Sequence, residues 1–404
     1  MTARRAAAAR SLNSTNLNRS LSARPFLLIG LALAFGTAAC SGRSPQPRPS
    51  SAGTSTHTLS RAAPARVAET RLLAGVVPIK KRRGLLLVKG FAVGPIASSG
   101  SRLVVEAAGQ EESGLSGLVA KNLRTGAIRQ LAMNPNPNYG LAVTPTATIY
   151  ATQEGEASEL VALEGRKRRV LSHSLIAPFD ARGDMIAWAE GNRARLRVVV
   201  GNVRTGKQFV AMEMPKCPQG HCYRIDRVTV ADRGLVFDLG AVGPGYPSLI
   251  VRREFGARKR SMTEVPNDPQ PDLARSSAGA LYYQFQRGWV RWNFGVAKPQ
   301  LRSRGTTPWL LDEEQGRSLL LTGGDCEQNV VVRLRDGRMI RVAAPVSTPA
   351  SPKEFGPLCR RLTSFFWTGG RILTAWSLTP RISLQGHNDV GLAGIVTATE
   401  VPAR

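Results

Sequence analysis

Four histidines stand in the chain: His57, His173, His221 and His387. None belongs to an H-E-x-x-H zinc motif, and the chain holds neither a G-x-S-x-G elbow nor a phosphate-cradling glycine loop. Hydrolysis of a sugar needs two carboxylates flanking the bond. Glu190 and Asp325 are candidates, but no motif pairs them. Asp312-Glu313-Glu314 reads as a solvated turn. His387-Asn388-Asp389 is the best isolated polar cluster, in a long final loop. Cys217-Pro-Gln-Gly-His-Cys222 has the residue types of a metal site but neither a CxxC spacing nor a second ligand pair, which favours a disulfide. No cofactor and no metal follow from these residues.

The remaining cysteine chemistry depends on the N-terminus. The first 24 residues hold five arginines and no acid, and Phe26 to Gly36 is apolar. That core is shorter than the roughly 20 residues a bilayer-spanning helix needs, so it reads as a secretory signal. Thr37-Ala38-Ala39-Cys40 resembles the lipobox of bacterial lipoproteins, with Thr37 where leucine is usual. The resemblance implies that Cys40 receives diacylglycerol and becomes the mature N-terminus. Residues 1–39 are then the signal, 40–66 a Ser/Pro/Ala-rich tether with almost no large apolar residue, and 67–404 the folded domain. A flexible tether of this length reaches roughly 30 Å. The chain is expected outside the cytoplasm, held to a membrane by its lipid. Four cysteines remain, an even number in an exported chain. They allow three pairings, of which Cys217–Cys222 with Cys326–Cys359 is the simplest.

The domain is built from a repeat. Asn122-Leu-Arg-Thr-Gly126 and Asn202-Val-Arg-Thr-Gly206 are near copies, each between two strand-like runs. Such turns need a glycine with positive φ. Comparable turn glycines stand at Gly165, Gly256, Gly295 and Gly337, a spacing of about 40 to 50 residues. Four short strands per unit at that period predict a single all-β propeller, most simply with seven blades. The second and third strands are expected at 103–106 and 118–121, 148–151 and 159–163, 185–189 and 196–200, 235–239 and 248–252, 280–285 and 289–294, and 318–322 and 329–334. In the last unit they are expected at 372–376 and from 390 onward. Phe179-Asp-Ala-Arg-Gly-Asp-Met-Ile-Ala-Trp188 resembles the turn-and-strand signature of TolB-like and WD-repeat propellers, with Val230 to Phe237 as a weaker copy. The last unit runs out of chain after three strands. An N-terminal run, Leu85 to Val88 or Leu72 to Val77, is expected to supply the fourth and close the ring.

Charge supplies the rest. The formal net charge is +27, and arginine greatly outnumbers lysine. The turns after the third strands carry Arg124, Arg129, Arg166-Lys167-Arg168-Arg169, Arg204, Lys207, Arg258-Lys259-Arg260, Lys298, Arg302, Arg335, Arg338 and Arg341. Loops on the opposite rim carry most of the acids. A basic face of this kind fits an anionic lipid or wall polymer, while the loop-rich rim fits a protein or peptide; nucleic acid is not expected. Propellers mostly bind, and a fold supplies no chemistry by itself. The expected function is a non-catalytic binding or scaffold protein at the cell envelope. The alternative is an extracytoplasmic propeller enzyme, a lyase, hydrolase or quinone-dependent dehydrogenase, with its site on the axis.

Overall fold

The chain divides into two units, Met1–Ala63 and Pro64–Arg404. The computed structural model describes residues 76–402 except 79–83, 90, 110–115, 155–156, 193–194, 215, 218–219, 222, 243–245, 258, 266–270, 285–286, 304–308, 325–327, 343–357, 369 and 381–392. Cys40, Cys222, Arg258, Asp325, Cys326 and His387-Asn388-Asp389 therefore lie outside the described residues, as does the whole signal and tether.

Antiparallel strands form seven successive units among the described residues, each wound so that neighbours in sequence pair. Blade 1 is Phe91–Ser99, Arg102–Gly109, Ser116–Asn122 and Ile128–Met133. Blade 2 is Leu141–Val143, Thr148–Glu154, Ala157–Glu164 and Lys167–Leu175, and blade 3 is Asp180–Arg182, Met185–Asn192, Arg195–Asn202 and Gln208–Glu213. In blade 4 a first strand split into Tyr223–Arg224 and Val228–Val230 precedes Gly234–Ala241, Ser248–Glu254 and Ser261–Val265. Blade 5 is Asp272–Ser276, Gly279–Gln284, Gly288–Asn293 and Gln300–Ser303; blade 6 is Trp309–Glu314, Arg317–Thr322, Asn329–Arg333 and Met339–Arg341; blade 7 takes Leu358–Thr368, Arg371–Pro380 and Ala393–Glu400 from the end of the chain. The first strands of blades 7, 1, 2, 3, 4, 5 and 6 touch in that order, so they line an axis. The architecture is a β-propeller.

The turn chemistry follows from sequence. Asn122 Oδ1 accepts from Arg124 N at 2.9 Å and Thr125 N at 3.0 Å, and Gly126 N donates back to Asn122 O at 2.8 Å. That geometry needs the positive φ of Gly126, +76°. All six turn glycines expected from the repeat have positive φ.

Each blade is buried on both faces, which explains where the core lies. In Gly234–Ala241, Leu235, Phe237 and Leu239 pack with blade 3, whereas Val236 packs with blade 5. Seven such apolar clusters occur among the described residues, one for each pair of neighbouring blades including 7 with 1. At about 1.5–3 kcal/mol per large side chain buried, these interfaces supply most of the cohesion.

The ring closes as the sequence predicts. Gly84–Lys89 pairs with the final strand Ala393–Glu400, with Leu86 opposite Val396 and Val88 opposite Gly394. Val76–Pro78 then adds a fifth strand outside it. A Cβ on Gly394 would meet Val93 of blade 1 at 2.4 Å, so a side chain there would push the closing blades apart.

Cys359 lies in the first strand of blade 7, Leu358–Thr368, where it is fully buried and disulfide-bonded. One sequence expectation needs correction. Asp312 and Glu313 are not solvated: they sit in the inner strand of blade 6 and are 3% and 4% exposed.

Candidate functional site

The first strands bring charge to the axis. Arg275, on the inner strand of blade 5, reaches blade 3, where its Nη2 lies 3.1 Å from Asp180 Oδ1 and donates to Ala181 O at 2.9 Å. Asp180 Oδ2 also accepts from Val230 N of blade 4 at 2.8 Å. The guanidinium carbon lies 5.8 Å from the Phe366 ring centre of blade 7. One arginine thus joins residues of blades 3, 5 and 7. Asp312 and Glu314 of blade 6 face the same group. Burial works against the charge on Arg275, but Asp180, Asp312 and Glu314 outweigh it and hold it above the usual guanidinium value. Towards the first turns of the blades, Arg182 pairs with Asp232 and, at 3.2 Å, with Glu314.

The carboxylates are not equivalent. Burial pushes Asp312 up to about 7, with Glu314 and Asp180 adding to the rise and Arg275 opposing it. Asp312 therefore carries its proton over part of the neutral range. Glu190, the carboxylate singled out from sequence, is instead a structural group: Trp188 Nε1 donates to it at 2.8 Å and Arg197 pairs with it. Burial alone would raise it, but bonds from Ser172, Trp188 and Arg197 hold it below the usual range. No axial carboxylate was singled out from sequence. The available signal was position: a charged residue in the first strand of a unit lies on the axis, whatever its neighbours look like.

The basic turns are partly neutralised. Arg166 and Lys167 are exposed, as are Lys259 and Arg260. Arg168 pairs with Glu159 at 2.6 Å and Arg169 with Glu164 at 2.7 Å. Arg204 pairs with Asp184, Arg302 with Glu313, and Arg338 with Asp336. Each repeat places positives at this turn, but several are matched by acids on the same face. Cys217 lies in a small hairpin between blades 3 and 4, opposite Gly220. Gln328, beside position 326, accepts from Leu362 N of blade 7 through its Oε1 at 2.8 Å. The loop of blade 6 is thereby brought close to the strand that carries Cys359. Among the described residues no group of three or more His, Cys, Asp or Glu is arranged to hold a metal ion.

No family model matches the chain, and no curated protein matches it in sequence. Solved structures do. A prolyl endopeptidase superimposes with a TM-score of 0.51 at 14% identity, over 78% of this chain and 47% of its own, so this chain spans about half of that enzyme. The β-propeller domain of the Trilobed protease from Pyrococcus furiosus gives 0.49 at 9% identity, over 71% of this chain and 92% of that domain. An oligogalacturonate lyase in complex with manganese gives 0.49 at 11% identity, covering 81% and 96%. Likeness at these identities shows the fold alone, and the fold is the β-propeller.

Proposed function

We propose that this chain is a lipid-anchored, extracytoplasmic propeller that binds envelope components and does not catalyse. The observation that carries the non-catalytic part is Arg275. It occupies the axis and engages the carboxylates that an axial acid–base pair would need. A substrate would have to displace this partly buried ion pair to reach them. The anchor rests on the basic start, the apolar core and Cys40. One acyl chain gives marginal membrane attachment, so a second chain or a basic surface has to contribute. The exposed Arg166, Lys167, Lys259 and Arg260 supply such a surface. The rim where blades 6 and 7 meet, braced by a Cys326–Cys359 bridge, supplies a separate site for a protein or peptide.

A second reading, an enzyme with an axial site, is favoured by one observation: Asp312 is held near neutrality, as a general acid requires. The two are separated by measuring binding and turnover together on fractionated envelope components. Retention of a fraction without its chemical change supports the binding role; turnover abolished by Asp312→Asn supports the enzyme. The anchor has its own test. Cys40→Ala is expected to release the protein from membranes, and quantitative co-fractionation of that variant with membranes rejects lipidation at Cys40.

A further inference from the structure

The two copies of the Asn-x-Arg-Thr-Gly turn are identical in backbone but differ in what surrounds them. In blade 3, Asn202 stands opposite Met185, and Phe209 stands opposite Val200. Arg204 in that turn is neutralised by Asp184. In blade 1, the positions of Met185 and Phe209 are taken by Arg102, opposite Asn122, and Arg129, opposite Ala120. Ser101 stands where blade 3 has Asp184, each offering its carbonyl to the turn (Leu123 N to Ser101 O, 2.7 Å; Val203 N to Asp184 O, 2.8 Å). Arg124 therefore lacks the acid that Arg204 has. The turn scaffold does not require Arg102 or Arg129, because blade 3 builds it with Met185 and Phe209 in their places.

Arg102 and Arg129 border an open cavity of about 270 Å³, with Asn122, Ala127 and Ile128 also in its wall. Arg102 donates only to the carbonyls of Thr144 and Ala147 of blade 2, at 2.7 and 2.8 Å. Burial, and then the charge of Arg129, lower its pKa, and no acid offsets them. Asn122 Oδ1 is occupied by the turn, so its amide nitrogen is the end left for a ligand. Lys121 also lines the cavity, and its Nζ donates to Leu85 O. Like charges held together in a partly buried cavity repel unless an anion lies between them. Guanidinium forks match phosphate oxygens two at a time.

We propose that the blade 1 cavity binds a phosphate group, its oxygens held by Arg102 and Arg129. The group could come from a phospholipid headgroup or from a soluble phosphate. The inference deepens the basic-face reading by narrowing it to one blade.

The test uses the full chain with Cys40→Ala, titrated calorimetrically with inorganic phosphate and co-sedimented with phosphatidylcholine vesicles with and without phosphatidic acid. Arg129→Gln removes an exposed side chain that makes no internal bond. It is expected to weaken phosphate binding about tenfold. The pair Arg102→Met with Arg129→Phe copies blade 3 and is expected to abolish binding while the protein still melts cooperatively. Loss of both free-phosphate and vesicle binding assigns the site to phosphate in either form. Loss of vesicle binding alone assigns it to the headgroup. Binding unchanged in Arg129→Gln and in the double variant overturns the proposal, as does the absence of phosphate and phosphatidic-acid binding in the parent chain. Vesicle binding lost instead with Arg166→Gln and Lys167→Gln, and kept in the blade 1 variants, overturns the cavity but leaves the basic face standing.

Discussion

Arg275 has three acids around it and a single direct ion pair, with Asp180. Replacing it with methionine keeps much of the volume and removes the charge. Asp180, Asp312 and Glu314 are then left to repel one another near the axis. Breaking a fully buried pair from one side costs about 3–5 kcal/mol, an upper bound for this partly exposed one. The pH dependence has a definite sign. The folded pKa of Asp312 is raised to about 7 from 3.8, so its contribution is fully present below pH 4 and is lost as pH rises towards 7. Arg275→Met removes the group that opposes this rise. Denaturant melts are expected to show a larger deficit for Arg275→Met at pH 8 than at pH 4. An equal deficit at both would mean that the arginine acts by packing and not by charge. Nothing in the local sequence marks this network. Asp312-Glu313-Glu314 looks like a solvent-exposed run because three acids in a row are usually wet. Only the strand they occupy reverses that, by turning them towards Arg275 and towards Arg291 and Arg302 of blade 5.

At the scale of elements, the second and third strands of each blade were legible because both their faces are apolar and a glycine turn ends them. The first strands were not. Several are too short to show a period, as in Leu141–Val143 and Asp180–Arg182, though Phe91–Ser99 and Leu358–Thr368 are long. Blade 4 hides its first strand further by splitting it around 225–227. There Asp238 accepts from Asp226 N at 3.1 Å and Arg227 N at 2.8 Å, and burial raises it to about 7. The closing strand Gly84–Lys89 was legible only through a deficit elsewhere, the missing fourth strand of blade 7. Leu86 is fully buried in the cluster joining blades 7 and 1. Leu86→Ala is expected to destabilise by about 2–5 kcal/mol, as for other core truncations. A change below about 0.5 kcal/mol in a chemical melt would mean that the closing strand is not part of the cooperative unit.

Across the whole molecule, a side-chain hydrogen bond ties the last blade to its neighbour. The Gln328–Leu362 bond joins blades 6 and 7 next to the buried Cys359. A Cys326–Cys359 link would cross the same seam. Non-reducing peptide mapping is expected to recover the two as one linked pair; Cys359 linked to another cysteine rejects this pairing. The candidate phosphate cavity and the axial network lie on different parts of the ring, one on blade 1 and one on the axis. Sequence located the basic turns of the first but not the two substitutions that open the cavity. Those become visible only when strand register lines up Arg102 with Met185 and Arg129 with Phe209.

The seam between Gly84–Lys89 and Ala393–Glu400 also sets the order of folding. The partners are separated by roughly 300 residues, so blade 7 cannot form until the final strand has emerged at the site of folding. Until then blade 1 presents to solvent the apolar face that Leu373, Ala375 and Val396 later cover. The nascent chain is thus a growing stack with a sticky first face and no partner for its own beginning. A chaperone, or a second unfinished chain, would find its target there, and the last blade to be synthesised is the one that removes it.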